Sequence, residues 1–182
     1  MILTIPDPSL VVLVGAAGAG KSTFARRWFT RDEILSSDAL RAEVGRSEAD
    51  QRVSRAAFAL LHERLEARLA AGWLTVVDAT NVQPEARRAL LSRRPIPPMP
   101  AVAIVLEVPA RQVHEQNRRR TERIVPAEAV DRQLGVLGRT TDERLHAEGF
   151  DVVIRLTDPG ATRIVRETRK VRAAADGGAP GS

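Results

Sequence analysis

The sequence predicts an α/β fold, a five-stranded parallel sheet flanked by helices, in one domain over residues 1–172. Three observations carry that prediction. Apolar, β-branched runs alternate with helix-like stretches, the rhythm of strand–helix–strand units. The runs are apolar at nearly every position rather than at every second one, as in strands covered by helices on both faces. The 182 residues are 43% hydrophobic and 28% charged, enough apolar material to fill one core.

Residues 9–15, SLVVLVG, read as the first buried strand, followed by a loop of small residues and a helix. Residues 33–37, EILSS, make a short second strand. The clearest helix spans residues 51–71, where Val53, Ala57, Leu60, Leu61, Leu65 and Leu69 recur at helical spacing with arginine and glutamate opposite. Gly72 stands where a helix C-cap glycine is expected. Residues 73–80 (WLTVVDAT), 101–108 (AVAIVLEV) and 150–156 (FDVVIRL) supply the other three strands. RPIPPMP at 94–100 holds four prolines in seven residues and reads as an extended connector. Trp28 and Trp73 are expected against the sheet and Phe58 in the core. Residues 173–182, AAADGGAPGS, read as a disordered tail.

Composition narrows the class. Cysteine is absent, which excludes a disulfide framework and any thiolate metal site. His62, His114 and His146 stand apart in polar surroundings and do not make a metal set. No apolar run is long enough to span a bilayer, and the opening MILTIPDPSL lacks a basic n-region, so a cytoplasmic protein is expected, with no membrane partner. The net charge of +5 suits a polyanionic partner, but a bias in base composition accounts for it equally. Lys21 and Lys170 are the only lysines among 28 basic residues, so where the arginines sit matters more than their number. Oligomeric state is left open, since no exposed heptad seam or long apolar edge stands out.

GAAGAGKS at 15–22 fits G-x-x-x-x-G-K-[ST], with Gly15, Gly20, Lys21 and Ser22 in register. A strand precedes it and a helix follows, the context this phosphate-binding loop requires. Glycine and alanine let the backbone N–H groups of Gly15, Ala16, Ala17, Gly18, Ala19 and Gly20 turn inward around a phosphate. The helix N-terminus, with Ser22 and Thr23 in its first turn, adds partial positive charge. Lys21 is placed to reach the β- and γ-oxygens of ATP, and Ser22 to hold Mg²⁺. A dinucleotide-binding turn would leave Lys21 and Ser22 unexplained and lacks its acidic residue at the end of a second strand.

A P-loop serves switch GTPases, motor ATPases and kinases alike, and three further features separate them. In SSDALR (36–41), Asp38 and Arg41 project from one face of a helix start, a carboxylate to take a proton from a hydroxyl and a guanidinium to grip a phosphate. The plainer reading is a capped helix with a solvated arginine. In VVDATN (76–81), Asp78 ends a strand at the carboxyl edge, where it can orient magnesium or Lys21, while Thr80 and Asn81 can line an acceptor pocket. A polar cap ahead of a helix at Pro84 explains the same residues. In EQNRRRTERIVP (115–126), Arg120 and Arg123 share a helix face, and Val125-Pro126 ends that helix. Two helices over about 110–138 would then meet at an arginine-lined lid, unless the run is only a solvated basic face. Together these point to a P-loop kinase with an arginine-rich helical lid.

In this order, GxxGxGKST, SSDALR, LAAGWLTVVDATNVQPEARR, AVAIVLEVP, NRRRTERIVP and EGFD resemble the kinase module of bacterial polynucleotide 5′-kinase/3′-phosphatases, over roughly residues 8–157. The resemblance implies that Lys21 and Ser22 handle the triphosphate and its metal. It makes Asp38 the general base on a polynucleotide 5′-hydroxyl, Arg41 the grip on the phosphate 3′ of that nucleoside, and Arg120 and Arg123 the lid arginines. It also implies an arginine where this chain has Gln116, a departure that bears on donor choice. The larger enzymes of that family carry phosphatase and ligase-like modules, for which this chain is too short. Such activities are expected from a separate partner. Two rivals share the P-loop: a kinase of a small metabolite, nucleoside or antibiotic, and a nucleotide-gated nucleic-acid-binding module without catalysis.

Overall fold

The computed structural model describes residues 2–45, 51–120 and 124–168. In chain order the elements are β1 (Ile2–Asp7), β2 (Leu10–Val14), α1 (Lys21–Trp28), β3 (Ile34–Ser36), α2 (Ser37–Val44), α3 (Gln51–Ala70) and β4 (Thr75–Asp78). They continue with α4 (Pro84–Leu91), β5 (Ala101–Leu106), α5 (Ala110–Arg118), α6 (Ala127–Leu137), α7 (Asp142–Glu148), β6 (Val152–Leu156) and β7 (Arg163–Thr168). Five strands form one parallel sheet in the order β3-β4-β2-β5-β6. The chain fills one side of β2 with β3 and β4, then crosses to the other side for β5. That switch point opens a crevice at the carboxyl end of β2, where open α/β sheets bind ligands.

Successive side chains of a strand point to opposite faces, and here both faces are dry. Leu10, Val12 and Val14 face a cluster completed by Leu40 of α2, Leu61, Leu65 and Leu69 of α3, Leu90 of α4 and Leu145 of α7. Val11 and Leu13 face the other, with Phe24 of α1, Val113 of α5 and Val130 of α6. Helix α3 buries Ala57, Leu61, Leu65 and Leu69 of the predicted stripe and half-buries Val53 and Leu60, and Gly72 follows it with φ +73 in the left-handed region.

The structure adds a second sheet that the sequence does not announce. β1 and β7 pair in parallel, Ile2 opposite Arg163 through Asp7 opposite Thr168. Leu3 and Ile5 join the core on the α1 side. Three expectations need correction. Helix α5 stops at Arg118, so Arg120 lies beyond its end rather than on a helix face shared with Arg123. Phe58 is not in the core: it is exposed, and the Arg41 guanidinium lies 5.5 Å from its ring centre. Trp73 is 57% exposed and is covered by Arg68 rather than by the sheet. Arg123, the domain limit at 172 and the tail at 173–182 lie outside the described residues. Among those residues no helix is long and apolar enough to cross a membrane.

Candidate active site

Between β2 and α1 the chain turns sharply, and its glycines make that turn possible. Gly18 and Gly20 have φ +91 and +83, a region that side-chain-bearing residues avoid. Gly18 is also a point of close approach: a Cβ there would lie 2.4 Å from the Val113 carbonyl oxygen of α5. Gly15 donates its N–H to the Thr80 carbonyl at 3.0 Å, tying the loop to the end of β4. Lys21 folds back along the loop and donates to the carbonyl oxygens of Gly15 (2.9 Å) and Ala16 (2.8 Å). An ammonium has three donors, and two are spent on positioning itself. Burial of Lys21 pulls its pKa down to about 8, with Arg120 acting in the same direction and Asp78 and Asp38 opposing it.

Asp78 ends β4 and is buried, 6% exposed. Burial raises its pKa, against the opposing hydrogen bond from the Ser22 hydroxyl and the charge of Lys21. A hydroxyl and a carboxylate side by side are hard oxygen donors of the kind Mg²⁺ prefers. A cation there would also relieve the burial of the Asp78 charge. The donor set therefore fits the metal, and the loop, with its left-handed glycines, its lysine and the helix N-terminus behind it, fits a triphosphate, although the N–H groups of Gly15, Ala17 and Ala19 are bonded to Thr80, Gln133 and Ala16 rather than left open as the sequence suggests.

Ser36 of β3 is the register partner of Asp78, and its hydroxyl caps α2 by accepting the Ala39 N–H at 3.4 Å. Asp38 follows in the first turn of α2, so sheet register brings it to the same carboxyl edge. Its Oδ1 meets Arg41 Nη1 at 2.5 Å and its Oδ2 meets Arg120 Nη2 at 3.2 Å. Asp38 is 44% exposed at its side chain while Arg41 is only 11% exposed, sandwiched between the carboxylate and Phe58.

The other predicted residues are placed less uniformly. Thr80 contributes its backbone oxygen to the loop, as above. Asn81 is buried with φ +48, and its amide donates to the Leu13 carbonyl at 2.9 Å, so it braces β2 instead of lining the crevice. Gln116 brings its side-chain oxygen near Gly20. Two residues lie outside what the sequence reading picks out. Asn117 is buried; its side chain accepts the N–H (3.2 Å) and donates to the carbonyl (2.7 Å) of Val125. Gln133 of α6 accepts the Ala17 N–H at 2.8 Å. Nothing local marks Gln133, since its partner is a backbone group 116 residues away.

The profile of the AAA domain family matches residues 10–140. No protein of curated function matches the chain. Among solved structures, a chain of the Pnkp1/Rnl/Hen1 RNA repair complex is similar at 24% identity and a TM-score of 0.64, over 75% of this chain and 46% of that one. This chain thus spans less than half the length of that neighbour. A sugar kinase from Janibacter sp. is similar at 22% identity and a TM-score of 0.56, over 82% and 85% of the two chains. A shikimate kinase from Acinetobacter baumannii, solved with shikimate, is similar at 17% identity and a TM-score of 0.54, over 83% and 85%. These neighbours share the α/β architecture of P-loop kinases, with a parallel five-stranded sheet flanked by helices.

Proposed function

Because the chain belongs to the AAA domain family and has the fold of a P-loop kinase, we propose that it transfers the γ-phosphate of ATP to the 5′-hydroxyl end of a DNA or RNA strand. The observation that carries this reading is the Asp38–Arg41 pair, one carboxylate for a hydroxyl and one shielded guanidinium beside it for a phosphate. An uncharged acceptor such as a free nucleoside needs the first and has no anion for the second.

The roles follow from position. Asp38 accepts the proton of the attacking hydroxyl as its oxygen bonds to the γ-phosphorus and the bond to the β–γ bridging oxygen breaks, leaving ADP. Arg41 holds the phosphate 3′ of the terminal nucleoside, and Thr80 lies at the rim of the acceptor side. The loop from Gly15 to Gly20, with Lys21, Ser22 and Thr23, binds the triphosphate. Ser22 and Asp78 hold Mg²⁺, which supplies charge neutralisation for the phosphoryl oxygens. Arg120 and Arg123 complete the charge on the lid side. In this reading residues 1–172 make the kinase unit with its lid at about 110–138, acting in the cytoplasm, and phosphatase or ligase steps belong to a separate partner.

The test is transfer of labelled γ-phosphate to a short 5′-hydroxyl oligonucleotide, beside a 5′-phosphorylated control and the matching free nucleoside. Label on the 5′-hydroxyl oligonucleotide alone is the expected result. Label on the nucleoside and not on the oligonucleotide overturns it. That outcome favours a second reading, a small-metabolite kinase, which the end-to-end likeness to the sugar and shikimate kinases supports.

A further inference from the structure

One peptide group of the phosphate loop is gripped from both sides. The carbonyl of Ala16 and the N–H of Ala17 belong to the same planar unit. Lys21 Nζ bonds the oxygen at 2.8 Å and Gln133 Oε1 bonds the N–H at 2.8 Å. Since the backbone N–H can only donate, the atom of Gln133 facing it is the amide oxygen, and the amide nitrogen is the free branch. That nitrogen makes no hydrogen bond among the described residues, and Gln133 is half-buried.

The amide does not arrive there by chance of rotamer. Val130, one turn before it on α6, is fully buried in the core beneath the loop, and Leu137, one turn after it, is buried on the other side. His114 Nε2 and Asp131 Oδ1 lie 2.8 Å apart and fasten α6 to α5, which itself rests on Gly18. Helix packing therefore sets Gln133 one peptide plane from the ammonium that meets the β- and γ-oxygens of a bound triphosphate. The loop loses one N–H to Gln133, and the same amide returns two N–H donors at the loop's edge, without a charge.

We propose that Gln133 is a terminal-phosphate contact: Oε1 anchored on Ala17 and Nε2 donating to an oxygen of the γ-phosphate, so that the lid helix tells ATP from ADP. The inference rests on the donor half of the proposed kinase and not on the identity of its acceptor.

The experiment measures equilibrium binding of Mg²⁺-ATP and Mg²⁺-ADP to the full chain and to Gln133→Glu and Gln133→Met. Glutamate keeps an acceptor oxygen for the Ala17 N–H and removes the donor, but its charge also repels the more anionic ATP, so the neutral methionine variant decides whether the donor itself matters. Methionine keeps the length of the side chain and removes both functions. Both variants are expected to weaken ATP about tenfold or more while changing ADP less than about threefold, the loss of one charge-assisted hydrogen bond. An unchanged ATP-to-ADP affinity ratio in Gln133→Met overturns the proposal whatever the glutamate variant does, as does a native protein that binds the two equally. If Gln133→Glu fails to fold, the ratio measured on the methionine variant decides alone. A native protein that binds neither nucleotide removes the kinase reading with it. Intact discrimination without transfer to oligonucleotides removes only the acceptor.

Discussion

Arg120 places Nη2 3.2 Å from Oδ2 of Asp38, whose other oxygen is bonded to Arg41. A residue just past the end of α5 and a residue just past the end of β3 thus meet over the crevice, and the carboxylate lies between two guanidinium groups. With Asp38 as the base, Asp38→Asn keeps the shape and one acceptor oxygen but cannot take a proton. Phosphoryl transfer should fall by about 10²–10⁴-fold, with ATP affinity nearly unchanged. Single-turnover transfer beside nucleotide binding checks this, and equal transfer rates remove Asp38 from the mechanism.

Arg41 separates the acceptors. Arg41→Ala should raise KM for a 5′-hydroxyl oligonucleotide at least about tenfold, through loss of a charge-assisted phosphate contact. KM for a free nucleoside should hardly move. Arg41→Lys should rescue only in part, because an ammonium cannot reproduce a planar group stacked on Phe58.

Lys21 predicts a proton linkage. Burial lowers its folded pKa to about 8 from an ordinary 10.5, so between those values the unfolded chain binds more protons than the folded one. Stability that burial of the ammonium costs below pH 8 is therefore recovered as pH rises toward 10.5. A triphosphate beside Lys21 favours the ammonium and reverses the shift. ATP binding at about pH 9 should take up protons, up to about one per site, and should take up few at about pH 6.5. Titration calorimetry in buffers of different ionisation enthalpy reads the difference, and equal uptake at both pH values counts against it.

Arg87 and Glu148 form the most buried ion pair among the described residues, 1% and 6% exposed at their side chains. Arg87 also donates to the carbonyl oxygens of Asn81 and Val82, so it joins α4 and α7 to the loop after β4. Arg87→Ala strands a buried carboxylate and should cost about 3–5 kcal/mol. Chemical denaturation measures it, and a loss below about 1 kcal/mol contradicts the assignment.

What is legible in the sequence is what local chemistry dictates. Val11 to Val14, the glycines of the loop, the stripe of α3 and the edge position of Asp78 all depend on near neighbours in the chain. The features that stay hidden depend on distant ones. β1 and β7 lie at opposite ends of the described chain and are stable only because they find each other. Val165 and Ile2 stay exposed, so neither strand announces itself by a buried apolar run. The end of α5 at Arg118 is hard to read because arginine favours helix on its own, whereas the buried Asn117 bonds both backbone groups of Val125, which no local spacing announces. Asn81 reads as a pocket residue from its neighbours Asp78 and Thr80, yet its amide turns inward to Leu13.

The pairing of β1 with β7 also settles how the fold answers a pull on its ends. The strands run parallel, so Ile2 and Thr168 lie at opposite ends of the six-residue ladder. Tension between them slides one strand along the other and loads the whole ladder at once, whereas an antiparallel hairpin would open one bond at a time. The small sheet acts as a shear clasp, and the phosphate loop behind it feels no stretch until the clasp lets go.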